Sequence, residues 1–172
     1  MGETLYYDEF TIPQIGGLHL CVSDKGIRSL YFITKDCTIR RIEEKIQKHS
    51  PNAKLTKHST ITAPYIAQIK ATWTNKNAHL DALKYDAQGT PFQKKVWAAL
   101  LNIKSGETLQ YNQIAKAIKQ PKAIRAAASA IAQNPISLLV PCHRVLPKSG
   151  GVGNYAGGSA IKKALLTHEN AI

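Results

Sequence analysis

The stretch YNQIAKAIKQPKAIRAAASAIAQ, residues 111–133, decides how the second half of this chain is built. Its first part, YNQIAKAIKQ, reads as a short helix. Gln120-Pro121 then breaks the run, since proline disfavours the helical conformation in the residue before it, and KAIRAAASAIAQ begins a new helix. Helix, tight break, helix is the order of a helix-turn-helix, although two short helices around a turn occur in many α-rich domains. The second run has an unusual surface. Ala123, Ala126, Ala127, Ala128, Ala130 and Ala132, with Ser129, leave almost no side-chain bulk, and only Ile124 and Ile131 are large and apolar. Alanine is the best helix former, so propensity alone is one reading. The other is that a surface must come close to the helix backbone, as the narrow minor groove of DNA demands. On that reading Arg125, the one charged residue after Lys122, becomes a probe into a duplex instead of a solvated side chain.

Charge points the same way. The chain has 172 residues with 23 Lys and Arg against 11 Asp and Glu, a net +12. Residues 1–87 hold 12 basic and 9 acidic side chains, whereas residues 88–172 hold 11 basic and only 2 acidic, Glu107 and Glu169. A half so poor in acid fits a polyanionic partner, most simply nucleic acid. No run approaches the ~20 apolar residues of a membrane helix. MGETLYYDEF has no apolar segment of the secretory kind, and Tyr6 stands where a myristoylation signal needs Ser or Thr. Cys21, Cys37 and Cys142 form no CxxC pair, which suits reduced thiols in a cytoplasmic compartment. The default for Cys21 and Cys37 is a small buried hydrophobe.

The first third reads as β structure. TLYYDEFTI, GLHLCVSD and GIRSLYFIT are short runs separated by PQIGG and by the tight turn Asp24-Lys25-Gly26, a pattern that predicts a small antiparallel sheet. Ile39, Ile42 and Ile46 then recur at helical spacing. SPNAKLTKHST reads as a loop, a second helix is expected near 61–76 beginning around Pro64, and LDALKYDAQG reads as a last strand and a linker. The boundary falls near residue 87, giving an α/β domain at 1–87 and a mainly helical one at 88–172. Thr90-Pro91 supplies an N-cap and a proline at the first helical position, with Phe92, Val96, Leu100 and Leu101 as the apolar stripe. The fold class is α+β, the second domain carrying the helix-turn-helix in a winged-helix-like arrangement.

Chemistry gathers in SLLVPCHRVLPK, residues 137–148. The segment before Cys142 reads as a short buried strand. A free cysteine, with a pKa of about 8.5, is mostly protonated at neutral pH, so a working thiol needs a base or a positive charge beside it. His143 is next in sequence, and a turn after Pro141 brings it to the thiol directly or through a water. A histidine base needs a third group to fix its tautomer, and Glu169 is the candidate. The residues alone leave open a hydrolase triad, an inert or redox-active cysteine on a DNA-binding regulator, and a thiol that accepts a group from DNA.

NPISLLVPCHRVLPKSGGVGNYAGG, residues 134–158, resembles the signature of the O6-alkylguanine-DNA alkyltransferases, also called methylated-DNA–protein-cysteine methyltransferases. The likeness joins Asn-Pro, Pro-Cys-His-Arg-Val and Gly-Asn-Tyr-x-Gly-Gly, and extends upstream through GTPFQKKVWAALL, Tyr111 and Arg125 to cover most of 89–169. The resemblance implies direct reversal of DNA damage. A double-stranded DNA carrying O6-alkylguanine, or O4-alkylthymine, is bound through its minor groove, the base is rotated out, and its alkyl group moves irreversibly to Cys142. His143 is then the base acting through a water, Glu169 its orienting carboxylate, and Asn134 the hinge holding the cysteine turn. Tyr111 presses on the phosphate 3′ to the lesion and donates to the guanine. Arg125 fills the gap in the stack, with Lys122, Ala123, Ala126, Ala127 and Ser129 beside it against DNA. Val145, Tyr155, Ala156, Gly157 and Ser137 form the guanine pocket. The implied protein is a monomer that needs no cofactor. Two departures matter. Ser137 stands where the family often has proline, which predicts poorer acceptance of bulky benzyl groups. Some members bind zinc in the first domain, but here Cys21 and His19 are accompanied by Ser23 and Arg28 at the other expected ligand positions, so no metal is expected.

Overall fold

The first third of the chain folds as a sheet. In the computed structural model, which describes residues 2–75 and 83–172, TLYYDEFTI forms β1 (Thr4–Ile12), with Leu5, Asp8 and Ile12 as its buried positions. β2 (Gly16–Ser23) and β3 (Gly26–Phe32) come next as antiparallel neighbours, with Tyr6 opposite Val22 and Leu18 opposite Phe32. The Asp24-Lys25 turn requires glycine next: Gly26 has φ +137°, and a side chain there would strike the Lys84 carbonyl. α1 (Ile39–His49) starts at Thr38, whose hydroxyl accepts from the Arg41 amide, and it buries Ile42 and Ile46. These two meet Leu5 and Cys21 in the core, with Tyr7, Tyr31, Ile33 and Leu55 packed against them.

Three expectations change here. The supposed loop contains β4 (Lys54–Lys57), parallel to β1, so the sheet order is β3-β2-β1-β4 and the sheet is not purely antiparallel. Its sequence, KLTK, is polar and half-exposed, as an edge strand can be, and therefore carries no apolar signal. α2 (Ser59–Thr74) begins before Pro64, with His58 as its cap, and Pro64 lies inside the helix. The carbonyl of Thr60, which loses its partner to Pro64, belongs to an exposed residue, so water can serve it. Residue 76 of the expected helix and 80–82 of the expected last strand lie outside the described residues. The remainder of that strand is a single bridge, Tyr85 to Ile27, made by the Ile27 amide to Lys84 O at 2.8 Å and the Asp86 amide to Ile27 O at 2.7 Å. Arg28, buried, anchors this segment by donating to Asp86, Ser50 and Glu3. Among the described residues no cluster of three or more His, Cys, Asp or Glu is placed to hold a metal ion.

Chain contacts divide the molecule into two compact units, Met1–Gln88 and Gly89–Ile172. The second opens on a capping box: Thr90 Oγ1 accepts from the Gln93 amide at 3.2 Å, and Gln93 Oε1 accepts from the Thr90 amide at 2.8 Å. α3 (Pro91–Leu100) buries Val96 and Leu100, but Leu101 is 47% exposed. The helix ends there, and Trp97 takes its place inside, its indole N–H donating to Ala130 O at 2.8 Å. α3 packs on α4 (Tyr111–Ala117) and α5 (Ile124–Ala132), which also pack on each other. β5 (Leu109–Gln110) pairs in parallel with β6 (Val145–Leu146), and α6 (Ser159–His168) closes the unit. No helix among the described residues is long and apolar enough to cross a membrane.

Candidate active site

Pairing of Leu109 with Val145 in the β5–β6 ladder brings the start of α4 beside the residues just before β6. Tyr111 is the first residue of α4, and Cys142–Arg144 form a single 3-10 turn leading into β6. The segment before the cysteine is not the buried strand the sequence suggested. Leu138 has φ +70°, Leu139 donates to Ser137 O at 2.8 Å and Val140 to Ile136 O at 3.0 Å, so the chain coils through successive turns. Such short-range bonds leave no row of free backbone groups for a sheet partner, which is why an apolar run here does not become a strand.

Asn134 holds those turns. Its Nδ2 donates to Val140 O at 2.8 Å and to Cys142 Sγ at 3.2 Å, while its Oδ1 accepts from the Ile136 amide at 3.0 Å. The thiol sits at the floor of a cavity of ≈ 330 Å³ lined by Tyr111, Ser137, Cys142, Tyr155 and Ala156, with Ala128, Ile131 and Ala132 of α5 forming one wall and Asn134 and Asn154 completing it. Burial pushes the Cys142 thiol up, against the pull of Asn134, the Lys162 charge and the Tyr155 hydroxyl. In the resting site it is therefore a neutral thiol, not the standing thiolate that a Cys-His-Glu sequence suggests. The same burial, together with the nearby Cys142, raises Tyr111 and Tyr155, so both phenols keep their protons.

His143 is fully buried. Its Nε2 meets Glu169 Oε1 at 2.9 Å, and its Nδ1 has no hydrogen-bond partner among the described residues. Burial pushes the imidazole down, Glu169 pulls it up, and Arg144 and Lys162 push it down again. Glu169 caps the end of α6 and is held at about 2, since the donors of His143 and Arg144 outweigh its burial. The proton of the neutral imidazole then lies on Nε2, and Nδ1 presents a lone pair.

Not every expected residue lies at the cavity. Val145 and Gly157 are buried and do not line it, and the Val145 carbonyl is already taken by Lys162 Nζ at 2.7 Å. Arg125, Ala126, Ser129 and Lys122 are exposed and Ala123 is half-buried, but Ala127 is fully buried and faces the core. It can space the helix but cannot touch a partner. Nothing in the sequence singled out Lys162, a lysine only 1% exposed, or the α5 wall. Ala128, Ile131 and Ala132 do recur at helical spacing.

A buried thiol lining a ligand-sized cavity, beside a buried histidine paired with a carboxylate, marks this as the candidate site for thiol chemistry. A family model described as 6-O-methylguanine DNA methyltransferase, DNA binding domain, matches residues 91–171. A methylated-DNA–protein-cysteine methyltransferase of Methanosarcina barkeri is 36% identical over 165 residues, covering 96% of this chain and 97% of its own. The bifunctional transcriptional activator/DNA repair enzyme Ada of Escherichia coli is 35% identical over 91% of this chain, which spans only 43% of that protein. A crystal structure of Mycobacterium tuberculosis OGT in complex with DNA superposes with a TM-score of 0.79 at 31% identity, covering 98% of this chain and 93% of that one. The chain belongs to the methylated-DNA–protein-cysteine methyltransferase family.

Proposed function

We propose that this protein repairs DNA by direct reversal, taking the alkyl group of O6-alkylguanine onto Cys142. The observation that carries the reading is one cavity in which the Cys142 thiol, the Tyr111 and Tyr155 phenols and a wall of the alanine-rich helix converge, backed by His143 and Glu169. α4 and α5, with the turn through Lys119 (φ +60°), act as a helix-turn-helix, and the β5–β6 pair makes the arrangement winged-helix-like. The exposed Ala126 and Ser129 let the minor groove approach α5, and Arg125 occupies the space of the rotated base. That rotation costs a few kcal/mol, less for a poorly paired lesion.

Inside the cavity the thiol proton passes through a water to His143 Nδ1, with Glu169 accepting from Nε2. Sulfur attacks the alkyl carbon, the carbon–O6 bond breaks, and its electron pair stays with guanine. Tyr111 donates to the purine and recovers its proton from the His143 side, so the balance is a thioether and an unmodified guanine. The Lys162 charge favours the developing thiolate. A neutral resting thiol suits this order, since a thiolate forms only when the cavity holds its substrate. The thioether has no hydrolysable bond, so each chain acts once, and no cofactor enters the balance.

Intact-mass spectrometry of the protein mixed with a duplex carrying one O6-methylguanine tests the reading. One methyl per chain is expected, mapped to Cys142 and absent in Cys142→Ala. A protein that binds the duplex and stays unmodified is a lesion sensor, and the proposal fails.

A further inference from the structure

Arg144 completes the one-turn helix that begins with Cys142, and its guanidinium faces the same carboxylate as His143. Its Nε donates to Glu169 Oε2 at 2.9 Å and its Nη2 to Glu169 Oε1 at 2.8 Å, a two-pronged grip, while Nη1 donates to the Ile103 carbonyl. Glu169 Oε1 therefore serves two donors at once, Arg144 and His143 Nε2. The pair is largely enclosed, with side-chain exposures of 16% and 11%.

Glu169 needs such a grip. It sits at the C-terminal end of α6, the negative end of the helix dipole, where a carboxylate is disfavoured unless donors hold it. A carboxylate serving His143 alone would have a second problem. It would draw a proton onto the imidazole at rest, and a charged imidazole cannot accept one from the thiol. We propose that Arg144 is the positioning residue of this site: its forked grip fixes the Glu169 carboxylate, and its charge offsets that carboxylate so that His143 rests neutral with Nδ1 free to take the proton. The inference rests on the reading of Cys142 as the alkyl acceptor.

The groups facing His143 are Glu169 and Lys162 from the α6 side, Arg144 and Cys142 from its own turn, and Tyr155, whose ring lies edge-on at 6.4 Å. Two are cationic and one anionic, so removing Arg144 leaves one of each. The imidazole then binds its proton more readily. A fork matters as well as a charge, because lysine offers a point charge without the planar pair of donors.

Side-chain nitrogen NMR of His143 tests this in the protein as it stands and in Arg144→Gln and Arg144→Lys, with alkyl transfer to Cys142 followed against pH. The intact protein is expected to show a neutral imidazole protonated on Nε2 at neutral pH. In Arg144→Gln the His143 titration and the acid limb of transfer both move up by about one pH unit. At a given pH on that acid limb transfer then falls about tenfold, and it recovers as the pH rises. Arg144→Lys restores the titration and part of the rate. An imidazole protonated on Nδ1 in the intact protein overturns the proposal even if Arg144→Gln does not fold. So does an Arg144→Gln titration that stays where it was. If the intact protein takes up no alkyl group, the acceptor reading fails, while the NMR titration still decides what Arg144 does to His143.

Discussion

His19 and Lys162 are both buried, and burial works against the charged form of each, but among the described residues only Lys162 has a hydrogen-bond partner for its charge. His19, on β2, stacks on Tyr7 at 5.1 Å between centroids, with its ring nitrogens enclosed and unpaired among the described residues. Burial pushes its imidazole down from 6.5 to about 4; its own backbone opposes this, Lys57 adds to it and Asp8 opposes it. In this window the unfolded chain binds the proton more readily, so stability is intact above pH 6.5 and is lost as pH falls toward 4, by on the order of 3 kcal/mol. Urea unfolding of the intact chain across that range is expected to show the loss, and His19→Leu to remove this contribution while leaving that of His143. An unchanged acid dependence in His19→Leu would place the sensitivity elsewhere. Lys162, by contrast, is held through the Val145 carbonyl. In sequence it is indistinguishable from its neighbour Lys163, which is exposed. Cys142, His143 and Glu169 were readable because reactive side chains stood together, or because an acid was rare in its half of the chain. Nothing local marks which of two adjacent lysines turns inward.

At the level of elements, α5 combines two demands. Its inner face is fixed by Ala127, Ala130 and Ile131 against α3 and α4, where the Trp97 indole reaches the Ala130 carbonyl. Small residues there allow close helix packing, so part of the alanine content is structural. The outer face, with Arg125, Ala126 and Ser129 exposed, has no packing reason to be bare. Ala126→Leu separates the two. An exposed leucine is nearly as good a helix former as alanine, so thermal stability is expected to stay within about 0.5 kcal/mol. Affinity for duplex DNA measured by fluorescence anisotropy is expected to fall about tenfold, roughly 1.4 kcal/mol, because the added bulk holds the groove away from the backbone. Equal affinity for the two proteins would mean that α5 is not the face DNA approaches. Elements were least legible where they lack an apolar pattern, as in β4, or where an apolar run is tied up in short-range turns, as before Cys142.

Over the whole molecule, charge is unevenly divided between the two halves. Nine of the 11 basic side chains in residues 89–172 are exposed, and four of them, Lys116, Lys119, Lys122 and Arg125, lie on α4, α5 and the turn between them. If those four meet phosphates, the logarithm of the DNA association constant falls with the logarithm of salt concentration with a slope of about −3.5. Neutralising Lys94 and Lys95 on α3 leaves the slope unchanged. A slope near zero would show that binding does not use this surface. Spacing along the chain and side-chain type were enough to establish the strands of the first hairpins, the capped start of α3, the paired helices and the basic half, and to single out Cys142 as the candidate thiol. Folding in three dimensions was needed to bring Asn134 to the sulfur, to make α5 a wall of the cavity, to hide Ala127, and to set Arg144 and His143 on one carboxylate. Those facts depend on which residues distant in sequence meet, and on burial, which raises the thiol and lowers the imidazole through the solvent it removes.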